Sequence, residues 1–195
     1  MEKAGGRFGR VFRRNDDASL GEVVDALKQV PLFSGFSRQA LRDLAEAVHR
    51  RDYRRDEFIY YERDPGLGLY IVQRGRVRLL VEDETGAVHE LRQVGENEVF
   101  GKLSLLGDFR RMETARAVVD TRVIGFFRPD LRAVVKRHPA TGAAVVEALA
   151  RNLAAAQSEL LRFVEEKEGK VAARRTLGGI DLRVDAQEAG SPAQV

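Results

Sequence analysis

Hydrophobic and polar positions change their period twice along the chain, from the helical 3.6 to an alternating 2 and back again. Leu20, Val23, Val24 and Leu27 recur at helical spacing. Ser19 with Glu22 makes a capping-box pattern ahead of them, and Pro31 ends the run after Gln29. A second helix begins at Ser37, placed to cap a segment whose apolar positions are Leu41, Leu44, Ala45 and Val48. From Tyr53 to about Phe127 the period falls towards 2. Phe58–Tyr61, Leu69–Val72, Val77–Val81, Val88–Leu91, Ala115–Val119 and Arg122–Phe127 read as short strands. Asp64-Pro65-Gly66, Gly75 and Thr85-Gly86 supply the turns between them. After Pro129 helical spacing returns, with a short helix over 130–137 ended near His138-Pro139 and a long one over 141–168. The pattern predicts an α+β chain: an antiparallel β jelly-roll (double-stranded β-helix) sandwich flanked by N-terminal helices and a long C-terminal dimerisation helix.

Along that long helix Val146, Leu149, Leu153, Ala156, Leu160 and Phe163 fall at alternating steps of three and four. This is the a/d seam of a parallel coiled-coil pair and predicts a homodimer. The other use of such a stripe is packing against the chain's own sandwich. Residues 1–17 read as a flexible basic extension and 169–195 as a flexible tail, leaving 18–168 as the folded domain. Within the extension, residues 7–14 interleave Phe8, Val11 and Phe12 with arginines. A membrane or nucleic-acid contact there is the weaker expectation, a frayed terminus the stronger.

Composition narrows the functional classes. In 195 residues, 44% hydrophobic and 32% charged content supports a sizeable core and excludes disorder throughout. No apolar run approaches the roughly 18–20 residues of a membrane span, and the N-terminus lacks a signal-peptide core, so a cytoplasmic location is expected. Without Cys there is no disulfide, thiol nucleophile or thiolate metal site. Of the 33 basic residues 27 are Arg, yet the net charge is only +3, too little by itself for a nucleic-acid footprint. His49, His89 and His138 lie far apart, with no metalloprotease spacing, calcium loop, phosphate loop or nucleophile elbow elsewhere. Gly66-Leu67-Gly68 is only a fragment of a dinucleotide fingerprint. The chain is expected to bind rather than catalyse, with no required cofactor or metal.

From Val30 to Leu161 the chain resembles the cyclic-nucleotide-binding domain, shared by catabolite-activator-type regulators, protein kinase A regulatory subunits and nucleotide-gated channels. The resemblance runs in order through Val30-Pro31-Leu32-Phe33, Leu69-Tyr70-Ile71-Val72, Gly75, Val77, Gly95 to Gly101, Arg111 to Val123 and Arg128-Pro129-Asp130-Leu131. It implies the jelly-roll fold and a phosphate-binding cassette. In the family that cassette reads Phe-Gly-Glu, then Arg-Ser/Thr-Ala nine or ten residues after the Glu. The Arg pairs with the cyclic phosphate and the Glu accepts from the ribose 2′-hydroxyl. The downstream run of Thr114, Arg116, Ala117, Asp120 and Thr121 sets the register and places the family's Arg at Arg111. The implied ligand contacts are then Gly101, Lys102, Leu103, Ser104, Arg111 and Met112, with Gln157 on the long helix facing the base.

Two positions depart from that pattern. Lys102 stands where the family has the ribose-binding Glu, a donor in place of an acceptor, and Met112 replaces the Ser/Thr hydroxyl. Losing two such contacts weakens binding by about a hundredfold or more. Three readings of the cassette follow: a more cationic site for cyclic AMP, cyclic GMP or another phosphate ligand; a site silenced by Glu113 pairing with Lys102 or Arg111; or an Arg111 that merely supports the fold. Taken alone, Arg111 also reads as a surface strand residue beside Arg110. The residues after Leu161 are too few for a helix-turn-helix, so DNA binding in that mode is not expected. The leading expectation is a dimeric, non-enzymatic regulatory module acting through an unidentified protein partner. The alternative is a ligand-silent structural or assembly scaffold.

Overall fold

The structure, a computed structural model, describes residues 17–175. Residues 1–16 of the extension expected over 1–17, including the 7–14 stretch, and residues 176–195 lie outside the described residues, while Asp17 already belongs to the first helix. Two compact units divide between Ala148 and Leu149. In the first, α1 (Asp17–Gln29) packs on α2 (Arg38–Ala47), with a 3-10 turn over Pro31–Phe33 between them. Ser37 caps α2 as its sequence predicts, its hydroxyl accepting from Ala40 N at 3.1 Å. Ser19 lies inside α1 rather than capping it, because Asp17 and Ala18 extend the helix and each added residue gains a backbone bond.

Among the described residues eight strands form two antiparallel four-stranded sheets. They are β1 (His49–Tyr53), β2 (Phe58–Tyr60), β3 (Gly68–Arg74), β4 (Val77–Glu82), β5 (Val88–Val94), β6 (Val99–Phe100), β7 (Thr114–Ala117) and β8 (Thr121–Phe127). The sheet orders are β1-β8-β3-β6 and β2-β7-β4-β5. The α+β jelly-roll sandwich expected from the alternating pattern is present. Tyr53, Tyr60, Val72, Val77, Leu79, Val94, Phe100, Ala115, Ala117 and Val123 meet between the sheets as the core. α3 (Leu103–Leu106) follows β6, and α4 (Arg128–Arg137) and α5 (Pro139–Glu168) close the order.

Two strands carry no alternating signal and were not expected. β1 reads His-Arg-Arg-Asp-Tyr, and as an edge strand on one side of β8 only its Tyr53 is buried. β6 is two residues long. β7 ends at Ala117, short of the expected Val119, which is exposed. Residues 170–175, expected within a tail, are helical after Gly169, whose φ of +89° interrupts the helix, and the Ala173 amide bonds back to the Gly169 carbonyl.

On α5, Val146, Leu153, Ala156, Leu160 and Phe163 are exposed as an intermolecular seam requires. Leu149 departs from the predicted seam: it is only 2% exposed within a single chain, so a partner cannot reach it. The helix turn that holds it is already buried, and the seam narrows there.

Candidate ligand-binding site

β6 delivers the chain into the cassette. Asn97 in the left-handed region (φ +66°) and the Glu98 carboxylate accepting from Gly95 N at 2.6 Å close the turn before it. Tyr70 pairs with Phe100 and Ile71 with Val99, so the exit of β6 is fixed beside β3. Gly101 then takes φ +68°, and a Cβ there would collide with the Arg111 guanidinium. Gly66, on the β2–β3 connection, is equally constrained, since a Cβ would collide with the Ser104 hydroxyl. α3 has only four residues, too short for a strong macrodipole, so charge recognition rests on side chains.

Arg111 is the centre of this arrangement. It is 4% exposed, so it is not a surface strand residue; its neighbour Arg110 is exposed and bonds the Arg63 carbonyl. Arg111 Nη1 donates to Gly101 O at 3.2 Å and to Ser104 Oγ at 3.3 Å. Its Cζ lies 4.1 Å from the Tyr60 ring centroid and 5.4 Å from that of Tyr70. Among the described residues no carboxylate forms an ion pair with it, and its buried Nε has no partner. Aromatic faces thus supply the attraction that an acid would ordinarily supply to a buried cation.

The remaining cassette residues sort by exposure and partner. Ser104 is buried, its Oγ also 3.4 Å from the Phe109 carbonyl. Leu103 and Met112 are exposed, Met112 at 69%. Glu113 is engaged with neither Lys102 nor Arg111: its Oε1 accepts from the Tyr60 hydroxyl at 2.7 Å. Burial raises the Tyr60 phenol far above its usual range, Glu113 pushes the same way, and Arg111 opposes them. Tyr60 therefore stays a donor at any ordinary pH. Burial also raises Tyr70, against Arg111 and Arg51. Lys102 is half-buried, and burial first, then the charge of Arg92, lowers its ammonium pKa. Gln157 is an exposed residue of α5 in the second unit.

Tyr60 and Tyr70, which pack on Arg111, were not foreseen, nor was Arg92, whose charge acts on Lys102. The tyrosines look like core strand positions in sequence, and they are; their second use, under a guanidinium, leaves no sequence signal. Arg92 falls in a strand exposed at all but one of its positions.

The fold is thus a jelly roll between helices, with a buried arginine beside the exit of its short sixth strand. Residues 50–138 match the family model described as "Cyclic nucleotide-binding domain". The chain is 35% identical over 147 residues to the "Cyclic AMP receptor protein" of Thermus thermophilus, spanning 75% of this chain and 68% of that protein. It superposes on the N-terminal domain of a transcriptional regulator from Streptomyces coelicolor with a TM-score of 0.65 and 27% identity, covering 70% of this chain and 95% of that one. It also superposes on the Thermus thermophilus Catabolite Activator Protein, at TM-score 0.58 and 26% identity, covering 85% and 91%. The chain belongs to the cyclic-nucleotide-binding domain family. Among the described residues no helix is long and apolar enough to cross a membrane.

Proposed function

We propose that this chain is a non-enzymatic, dimeric regulatory module that senses a nucleotide phosphate at Arg111 and passes its state to a protein partner. The observation that carries this reading is a buried guanidinium with no acid partner among the described residues. Its two hydrogen bonds, at 3.2 and 3.3 Å, lie at or beyond the long end for N–H to O contacts. A phosphate oxygen offers shorter, charge-assisted bonds roughly twice as strong as neutral ones. Ligand entry therefore exchanges weak bonds to Gly101 and Ser104 for strong ones, and in doing so releases α3. The segment that covers the cation in the free protein is the segment that the ligand moves. Similarity to a cyclic AMP receptor supports nucleotide as the ligand class, and the exposed stripe of α5 supports the dimer.

The test is calorimetric titration of the full chain with cyclic AMP and cyclic GMP at moderate salt, beside Arg111→Ala and Arg111→Lys. We expect micromolar binding that Ala abolishes and Lys weakens by about tenfold or more, since Lys keeps charge but loses the guanidinium fork. Urea melts of the same variants separate lost binding from lost folding. A second reading, a ligand-silent scaffold, is favoured by the donor Lys102 in the ribose-acceptor position and by Met112 turned to solvent. Absence of heat with every nucleotide from a folded dimer would establish it over the first.

A further inference from the structure

The apolar face read along α1 is wider than the face that the fold buries. Val23 and Leu27 are fully buried, whereas Leu20 and Val24 stay partly exposed. Leu20, Val24 and Lys28 recur every four residues and form one stripe roughly 12 Å long. That stripe is one wall of a groove of about 620 Å³ between α1 and α2. Arg38, Leu41 and Arg42 of α2 make the other wall. Phe36, from the connection between the helices, lines it too and stands edge-on to buried Phe33, with ring centroids 5.4 Å apart. A Cβ at Gly21 would meet nothing within 4 Å, so the backbone of α1 faces open space there. No residue of the cassette lines this groove.

The groove sets Lys28, Arg38 and Arg42 beside these apolar side chains, and Asp25 is the carboxylate that lines it. Among the described residues no carboxylate forms an ion pair with any of the three cations. Neighbouring acids on the same helices are engaged elsewhere: Glu22 by Arg50 at 2.9 Å, and Asp43 by Thr141 and Gln39. Arg38 and Arg42 stand one helical turn apart on α2, and Lys28 is on the other wall. Acids that answer all three must therefore be spread along a surface. A single-headed amphiphile such as a fatty acid brings one charge and leaves the others unanswered. Residues 1–16, next to α1 in sequence, hold five bases against Glu2 and Asp16 and repel the same cations.

We infer that the α1–α2 groove docks an acidic amphipathic helix of a protein partner. The partner's apolar side chains fill the space beside Leu20, Val24 and Phe36, and its carboxylates meet Arg38, Arg42 and Lys28. This gives the chemistry of the partner in the function proposed above and rests on that reading for the partner alone. What Arg111 binds does not enter.

The test titrates the isotope-labelled full chain with a synthetic helical peptide of about 16 residues, leucine on one face and glutamate on both flanks. At low salt it should shift the backbone amides of residues 20–28 and 36–42, and added salt should weaken it. The same peptide with glutamine for each glutamate should bind about tenfold or more weaker. Gly21→Trp should fill the groove and remove binding. Arg38→Glu combined with Arg42→Glu should weaken it by about tenfold or more, and Arg42→Lys should keep most of it. Asp25→Asn should tighten it by about two- to fivefold, as removal of a like charge requires. Urea melts show which variants fold, while the glutamine peptide and Asp25→Asn put the question without touching the cations. Equal binding by the glutamine peptide, shifts confined to the exposed stripe of α5, or no shift at about 1 mM peptide overturns the inference. So does a fall in sedimenting mass with Gly21→Trp, which gives the groove to a second copy of this chain. None of these readouts involves a nucleotide, so a silent cassette leaves the inference standing, and failure at the groove leaves Arg111 as proposed.

Discussion

Gly101 answers two demands at one Cα: a left-handed backbone and room for the guanidinium behind it. Gly101→Ala should cost about 1–2 kcal/mol for the left-handed conformation in an apo urea melt. It should also weaken nucleotide affinity by pushing Arg111 out of place. Gly21→Ala, a helical site with open space around its Cα, should not lower stability and serves as the control. If Gly101→Ala melted like the wild type, the cassette would be slack enough that its geometry could not select a ligand. At this scale the sequence was partly legible. The Asp-Thr pair that set the register of Arg111 proves to be structural. Thr121 Oγ1 accepts from Arg76 N at 3.2 Å and donates towards the Val119 carbonyl at 2.7 Å, while Asp120 accepts from Arg55 N at 2.9 Å. A motif that pins two turns is a dependable ruler. Which acid faces which base left no such trace, because Glu113 reaches across 53 positions to Tyr60.

Helices and strands in the first unit are tied together by a few buried polar bonds. Asp43 on α2 is nearly inaccessible and accepts from Thr141 Oγ1, at the start of α5, at 2.6 Å. Gln39 donates to its other oxygen at 2.8 Å, and His138 Nδ1 stands 3.5 Å from it. Burial pushes this carboxyl up, but the Thr141 and Gln39 bonds with the His138 charge outweigh it and hold the pKa below the ordinary value. A depressed carboxyl stabilises the folded state above its unfolded pKa of about 3.9 and loses that contribution as pH falls through the folded value. Thr141→Val leaves the buried carboxylate short of a donor and should cost about 1–3 kcal/mol at neutral pH. Chemical denaturation across pH should show the gap between the two proteins narrowing below about pH 4; a constant gap would mean that Asp43 is not ionised. Element boundaries came closest where apolar side chains mark the strand: β4 was expected over 77–81 and runs one residue further, and β3 was expected over 69–72 and gains one residue before and two after. They were lost where backbone pairing alone makes the strand, as in β1, whose side chains find ion pairs instead: Arg50 with Glu22, and Asp52 with Arg122.

For the molecule as a whole, the question is what covers α5. Leu153, Leu160 and Phe163 are each about half exposed, and in a single chain they meet water. Leu153→Glu should convert the dimer we propose to a monomer by sedimentation equilibrium, with the thermal unfolding of the sandwich little changed. A variant that stays dimeric would move the interface off this helix. Whole-chain architecture was the most legible level, since two changes of hydrophobic period are enough to order helices, sandwich and helix. The pairing of β1 with β8 has a consequence in time rather than in space. Tyr53 meets Thr121 and His49 meets Gly125, so β1 is synthesised long before its partner. At about 5–20 residues per second it waits roughly 3 to 14 s as an unpaired edge. An apolar β1 would recruit other chains during that interval, whereas His-Arg-Arg-Asp keeps it soluble. The charges that hid this strand from its pattern are what let it survive its own translation.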